Sequence, residues 1–117
     1  MAKALKTRLN LLLDSSIAAG ATDNQPGAIV PVGKVVTLKR FGASLQDGAN
    51  GSASIQWGAA GPGQTWTTLR TIQREHEFSD LGEFTGDGVK RFRLVRVNRA
   101  ATATVIVAWM DAIVHDA

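Results

Sequence analysis

The chain has 117 residues, no cysteine, and 13 Lys and Arg against 10 Asp and Glu, which gives a formal net charge of +3. This length fits one domain with a buried core, and 44% apolar with 20% charged residues is typical of a globular protein. The lack of cysteine excludes disulfides, thiolate metal ligands and a thiol nucleophile. The modest positive charge does not by itself indicate a nucleic-acid partner.

The N-terminal segment alternates apolar and polar side chains. Between residues 5 and 11, Leu or Thr at odd positions alternates with Lys, Arg or Asn at even positions. This period of two predicts a first strand with one solvated face. No apolar stretch reaches the about 7–15 residues of a signal peptide or the ~20 that span a bilayer. We therefore expect a soluble protein without a membrane partner, and residues 1–8 are a candidate docking arm.

The middle of the chain contains short segments that favour strands, separated by turns rich in glycine. Pro31 lacks a backbone donor and belongs at a sheet edge or a bend, and Asp47-Gly48 is a turn pair. Residues 74–88 are the most acidic and least periodic stretch. The predicted strands of this region are residues 28–32, 34–41, 52–57 and 64–72.

The last third of the chain has the clearest pattern. Residues 89–98 and 102–114 are two long β-rich segments with a short connection, which predicts a hairpin. The final strand is apolar on both faces, with Val107 and Trp109 on one and Ile106 and Met110 on the other. A strand with one face in water would alternate apolar and polar residues. Two interpretations stay open: the second face is covered by the same chain, or it meets another subunit.

These patterns together predict the fold class. The chain contains about eight short strands, turns rich in glycine, no internal repeat and no convincing amphipathic helix. Apolar faces of this kind are buried when two sheets pack against each other. We therefore predict an all-β protein, an antiparallel β-sandwich of jelly-roll-like type, as a single domain over residues 1–117.

Catalytic and metal-binding chemistry has little support in the sequence. His76 lies between Glu75 and Glu77, but consecutive residues of a strand point to opposite faces, and only a loop conformation would bring the three together. Neither Ser15-Ser16 nor Ser79-Asp80 has a base at a recognisable triad spacing. We predict that the protein is not an enzyme and has no catalytic residues, no cofactor and no metal site.

The basic and aromatic residues could in principle serve two ligand classes, nucleic acids and glycans. A basic stripe with stacking tryptophans would suit nucleic acid, but aromatic residues at alternating positions are typical of a core, and the domain lacks a large basic excess. A glycan stays open as a partner through Trp57 or Trp66, which lie beside turns rich in glycine. The residues of the hypothetical stripe are Lys39, Arg40, Arg91, Arg93, Arg96 and Arg99, with Trp57, Trp66 and Trp109.

The opening Met1-Ala2-Lys3, the short strands rich in Gly, Ala and Thr, and the closing segments VKRFRLVRVN (89–98) and ATVIVAW (103–109) occur together in this chain. With these features the whole chain resembles small structural proteins of tailed-bacteriophage virions, most of all the jelly-roll capsid decoration (cement) proteins. The resemblance includes no defined motif, so no residue roles are carried over from the family.

The resemblance implies a structural protein of a phage virion, made in the host cytoplasm, that bridges and stabilises neighbouring capsid subunits. It implies a homo-oligomer, a dimer or trimer, with the major capsid protein or other virion proteins as partners. A tail, collar or fibre component, or a carbohydrate-binding β-sandwich module, stays open as the alternative. Arginine suits pairing with a neighbour's carboxylates. Our candidate contact residues are Leu5, Arg91, Arg93, Arg96, Trp109 and Met110.

Overall fold

The computed structural model describes residues 6–45 and 50–117, and within these residues the chain forms ten β-strands and no helix. The all-β prediction is therefore confirmed. The strands are β1 (Lys6–Leu13), β2 (Ser16–Ile17), β3 (Thr22–Pro26), β4 (Lys34–Leu45), β5 (Gly51–Gly58), β6 (Trp66–Ile72), β7 (His76–Ser79), β8 (Glu83–Thr85), β9 (Arg91–Asn98) and β10 (Thr104–Asp116).

The strands form two antiparallel sheets. Sheet I has the order β1-β10-β4, with β7 and β8 both on the far edge of β4 and β2 paired to the start of β10; sheet II has the order β3-β9-β5-β6. If β7 and β8 count as one interrupted strand and β2 is left out, the eight remaining strands run 1-8-3-6 in sheet I and 2-7-4-5 in sheet II. This is the double Greek-key order of a jelly roll, as predicted.

The predicted closing hairpin is wrong. β9 pairs with β3 and β5 in sheet II, whereas β10 pairs with β1, β2 and β4 in sheet I. The connection over residues 99–103 therefore crosses from one sheet to the other. A short link between two β-rich segments is equally compatible with a hairpin and with a change of sheet, so its length could not separate the two.

Asn98 holds this crossing in place and is fully buried. Its side-chain Nδ2 donates to the backbone oxygens of Ile17 (2.9 Å), Ala18 (3.2 Å) and Thr102 (3.0 Å). Its Oδ1 accepts from the backbone N–H of Ala100 (2.9 Å). One buried amide thus makes four hydrogen bonds to backbone groups around the connection. Buried polar groups need such partners to offset the loss of water.

The core lies between the inner faces of the two sheets. The even-numbered residues from Ile106 to Val114 of β10 point into it, and Trp57 packs against Phe84 and Phe92 with ring centroids 5.2 and 4.8 Å apart. Ile106 is 0% exposed and Met110 3% exposed. This face of β10 is therefore covered by its own chain, so the case for a neighbouring subunit over Ile106 and Met110 is withdrawn.

The first strand ties the N-terminal segment into sheet I. β1 runs antiparallel to β10, with Lys6 opposite His115 and Arg8 opposite Ile113. Residues 6–8 therefore belong to the sheet and do not form a separate docking arm. Residues 1–5, which include the rest of the predicted arm, lie outside the described residues.

Candidate interaction surfaces

Sheet I presents an apolar strip on its outer face. Val105, Val107, Trp109 and Ile113 point away from the core and are half-buried, while Leu12, opposite Trp109 on β1, is 65% exposed. We call these five residues the apolar strip. Because a sheet face in contact with water normally carries polar residues, exposed apolar area of this kind is typical of an interaction surface.

The indole of Trp109 lies across the backbone of Gly42 on β4. A Cβ atom at Gly42 would be 2.2 Å from Cζ2 of Trp109, well inside van der Waals contact. The indole Nε1 donates to Oε2 of Glu77 on β7 at 2.9 Å. Gly42 therefore leaves room for the ring to lie on β4, and the hydrogen bond from Nε1 to Glu77 holds it there.

An ion pair interrupts the apolar strip. Arg8 on β1 contacts Asp111 on β10 through two bonds, Nε to Oδ1 at 3.1 Å and Nη2 to Oδ2 at 3.2 Å. Asp111 occupies the outward position between Trp109 and Ile113. Because Arg8 is exposed, the pair contributes little to stability, and its effect is to separate Ile113 from the other residues of the apolar strip.

The outer face of sheet II carries a second cluster, built around Arg93. The Arg93 guanidinium stacks on Trp66, with Cζ 4.1 Å from the ring centroid. Its Nε donates to Oε1 of Gln56 at 2.6 Å, and Nε2 of Gln56 donates to Oγ1 of Thr68 at 3.0 Å. Partial burial lowers the pKa of the Arg93 guanidinium from its ordinary value. We call these four residues the Arg93 platform.

The structure separates the predicted contact residues. Trp109 is on the outer face of sheet I, whereas Arg91 and Arg93 are on the outer face of sheet II, on the opposite side of the sandwich. These residues therefore cannot form one site. Met110 is buried in the core, and Leu5 lies outside the described residues.

Arg96 lies inside the fold, so the prediction that it contacts a partner is withdrawn. It is 2% exposed, and all five of its N–H donors are used within the chain. Nε and Nη2 bind Oδ2 of Asp23 at 3.1 and 2.6 Å; Nη1 donates to the backbone oxygens of Ser15 and Ile106 at 2.9 and 2.8 Å. Nη2 also donates to Oγ of Ser15 at 3.0 Å. Arg96 shares its face of β9 with the buried Phe92 and Leu94.

The remaining candidate ligand sites do not come together. His76 stacks edge-on against Phe78 with ring centroids 4.5 Å apart, while the neighbouring Glu77 binds Trp109. Within residues 6–45 and 50–117 there is no group of three or more His, Asp or Glu side chains placed to hold a metal ion. No helix long and apolar enough to cross a membrane is found over the same residues.

The hypothetical basic stripe is divided between the two sheets. Lys39 and Arg40 lie on β4 in sheet I, whereas Arg91 and Arg93 lie on β9 in sheet II. Trp57 is in the core and is not available as a stacking platform. The residues do not form the continuous cationic groove that single-stranded nucleic acid follows.

Three residues of these surfaces were not predicted from the sequence. Leu12 had a signal, because in the run of Leu at residues 11–13 neighbours point to opposite faces and at least one must point outward. Gln56 and Thr68 had none. Their link to Arg93 depends on β5 lying between β6 and β9, which is known only from the sheet order.

Comparisons with known proteins concern the fold. A scan against models of protein families found no match, and neither did a search of curated protein sequences. Among solved structures, the chain is similar to one from an archaeal virus, described as a triple jelly-roll fold and turret assembly (TM-score 0.56, 14% identity, 97% of this chain and 29% of that chain). It is also similar to a chain of the capsid asymmetric unit of cyanophage Pam1 (TM-score 0.55, 16% identity, 97% of this chain and 85% of that chain).

A third similar structure comes from infectious bursal disease virus, Gx strain (TM-score 0.51, 6% identity, 97% of this chain and 32% of that chain). The chain thus spans less than a third of two of these viral chains and most of the cyanophage one. At such low identity the similarity establishes the jelly-roll fold and does not by itself assign a function.

Proposed function

We propose that this chain is a non-enzymatic structural protein of a bacteriophage virion, a decoration (cement) protein that binds across neighbouring capsid subunits. The similarity of fold to viral chains, one of them from a capsid asymmetric unit, supports a place in a virion, and the cyanophage chain is of comparable size. The apolar strip on the outer face of sheet I is the observation that carries the proposal, because it gives the chain a surface for docking.

The apolar strip has the composition of a contact surface. Its five members are aliphatic or aromatic, Glu77 borders it beside Trp109, and the Arg8–Asp111 pair lies between Trp109 and Ile113. Protein–protein interfaces likewise combine an apolar centre with charged groups, which lie mostly at the rim. Burial of the strip would contribute about 25 cal/mol per Å² of apolar area.

Repetition over a shell adds to this contribution. A capsid offers many equivalent sites, and a copy that contacts two adjacent subunits makes its second contact at a high effective concentration. A modest contact made by each copy therefore stabilises the shell. Trp109 stays a proposed contact residue, and Leu12 and Val107 join it.

The test uses shells assembled from the major capsid protein encoded in the same genome. The purified chain is mixed with shells, the mixture is centrifuged, and bound chain is measured as a function of its concentration. We expect saturable binding. We expect the double variant Leu12→Asn, Val107→Thr to bind at least about tenfold more weakly, because it removes apolar area from the strip.

Val32→Asn is the matched control. Val32 is 75% exposed and lies between β3 and β4, away from the apolar strip. We expect this variant to bind shells as the unchanged chain does. Equal weakening by both variants, or weakening by Val32→Asn alone, would contradict the assignment to the strip. Binding to isolated tails but not to shells would contradict the decoration role and support a tail, collar or fibre component.

Sedimentation velocity at micromolar concentration tests the predicted homo-oligomer separately. A dimer or trimer that the strip variant dissociates would mean that the strip joins copies of this chain. A contact with the shell would then have to come from another surface. The shell-binding titration of the same variant decides whether the strip contacts the shell or another copy of the chain.

A further inference from the structure

The Arg93 platform holds a guanidinium group in a fixed orientation on an open sheet face. Trp66 sets the plane of the group by stacking, Gln56 holds Nε, and Thr68 in turn holds Gln56. Three strands, β9, β5 and β6, supply these residues. The side chain therefore loses little conformational entropy when it binds a ligand, which favours affinity.

The orientation leaves the binding edge of the guanidinium available. Arginine has five N–H donors in a planar fork, and Nε uses one of them on Gln56. The other four, on Nη1 and Nη2 of Arg93, have no hydrogen-bond partner among the residues that the structure describes, in contrast to Arg96, whose donors are all used. A planar pair of N–H groups matches the two oxygens of a carboxylate.

The surrounding face has no carboxylate of its own to occupy this edge. In β3, β9, β5 and β6, all within the described part of the chain, the residues placed outward include no Asp or Glu. Arg91 adds a second positive charge two residues before Arg93. Hydroxyl groups lie alongside, with Ser54 and Thr71 hydrogen-bonded to each other at 2.9 Å.

We propose that the Arg93 platform binds the carboxylate of an acidic sugar, a uronic acid residue of a polysaccharide. The Nη1 and Nη2 groups of Arg93 grip the carboxylate, Arg91 meets the charge of the next sugar unit, and hydroxyl and amide groups of neighbouring side chains bind sugar hydroxyls. A saccharide fits better than a protein carboxylate, because protein docking needs apolar contact around the ion pair, whereas the β5–β6 side of the platform is lined by the hydroxyl groups of Ser54 and Thr71.

The two outer faces act independently. The platform is on sheet II and the apolar strip is on sheet I, so a copy docked through the strip leaves the platform accessible. The inference therefore does not rest on the proposed virion role, and failure of either leaves the other in place.

The test is calorimetric titration of the full chain with tetragalacturonate, with its methyl ester and with hexaglutamate. We expect binding of the acid and binding of the ester at least tenfold weaker. Arg93→Gln should weaken binding of the acid about ten- to hundredfold, because it removes a charge-assisted pair. Arg93→Lys keeps the charge but lacks the planar fork, so it should also weaken binding clearly.

Two further variants make the result specific. Gln56→Leu releases Nε without changing the charge and should weaken binding of tetragalacturonate several-fold. Arg40→Gln removes an exposed arginine from sheet I and should change nothing. Circular dichroism checks that each variant is folded.

Four results of the titrations with tetragalacturonate and its ester would overturn the inference. The first two are that tetragalacturonate does not bind, or that it binds no more tightly than its methyl ester. The third is that Arg40→Gln weakens binding as much as Arg93→Gln does. The fourth is that Arg93→Lys binds as tightly as the unchanged chain although Arg93→Gln does not, which would indicate non-specific charge attraction. Tighter binding of hexaglutamate than of tetragalacturonate would also overturn it, and would identify the platform as a contact for acidic protein segments.

Discussion

At the scale of single residues, β9 shows how position decides what an arginine does. Arg93 faces outward, with four donors left over, whereas Arg96, three residues later, faces inward and has every donor bound. An ionised group is buried only when its hydrogen bonds are met. The partners that permit this, Asp23, Ser15 and the backbone of Ile106, come from three separate parts of the chain. Arg96 alternates in step with Phe92 and Leu94, but nothing in its neighbourhood in the sequence predicted these partners.

The contact between Gly42 and Trp109 gives a residue-scale prediction. Gly42→Ala places a methyl group inside the indole, so the ring must move and lose its bond to Glu77. We expect the free energy of unfolding to fall by about 1–3 kcal/mol, as for overpacking. Urea unfolding measures this change, and acrylamide quenching should report a more accessible tryptophan.

A double-mutant cycle supplies the control. In a Trp109→Ala background the added methyl group meets no indole, so Gly42→Ala should be neutral or should stabilise by up to about 1 kcal/mol through reduced freedom of the unfolded chain. The same loss in both backgrounds would show that Gly42 is required for another reason and would contradict the contact.

At the scale of elements, the β9–β10 connection decides the fold more than any one strand. The two segments were correctly predicted as strands, but pairing them as a hairpin would have put both in one sheet. Instead the connection changes sheet, and each strand becomes central in its own sheet. A central strand in a sandwich has a core face and an outer face: the buried residues 106 to 114 of even number fill the core face of β10, and its outer face carries the apolar strip.

Asn98 gives the element-scale prediction, because its amide fixes that connection. Asn98→Ala removes four hydrogen bonds and leaves buried carbonyl groups unpaired, so we expect a loss of about 3 kcal/mol in the free energy of unfolding. Asn98→Asp should lose more at neutral pH, because it aims a carboxylate at three carbonyl oxygens.

The pH dependence separates the two Asn98 variants. Carbonyl oxygens raise the pKa of the introduced carboxyl in the folded state above its unfolded value, so the extra loss is largest at neutral pH and is relieved as the pH falls below that raised pKa. Asn98→Ala should show no such relief relative to the unchanged chain. Asn24→Ala, at an exposed position of β3, is the control and should change stability by less than about 0.5 kcal/mol. A loss at Asn98 as small as that would contradict the role of the amide.

At the scale of the whole molecule, the topology joins distant parts of the chain. β1 pairs with β10, so residue 6 lies opposite residue 115, and β3 pairs with β9. Chain ends must meet before most of the sheet can form, which makes folding slow. We expect refolding in milliseconds to seconds, measured by stopped-flow dilution from urea with tryptophan fluorescence. Refolding on the microsecond scale would contradict this topology.

The thin sandwich also explains why two separate surfaces occur. The molecule measures 56 × 31 × 19 Å, and its two broad faces are the outer sides of sheets I and II. Each face can therefore meet its own partner, an apolar one at the strip and an anionic one at the Arg93 platform. The sequence-based set of contact residues mixed members of both faces with buried residues.

The sequence by itself determined the sandwich, the jelly-roll-like class and the longer strands, because a period of two and turn residues are local properties of the chain. It did not predict β3, β7 or β8, and the strand predicted over residues 28–32 does not form. It also marked β10 as apolar on both faces. Only the tertiary structure decided which strand lies beside which, and hence that Met110 and Arg96 are internal, that Trp109 covers Gly42, and that Arg93 joins Trp66 and Gln56. The physical reason is that those contacts are made across sheets and between strands far apart in sequence, where alternation gives the face of a residue but not its neighbour.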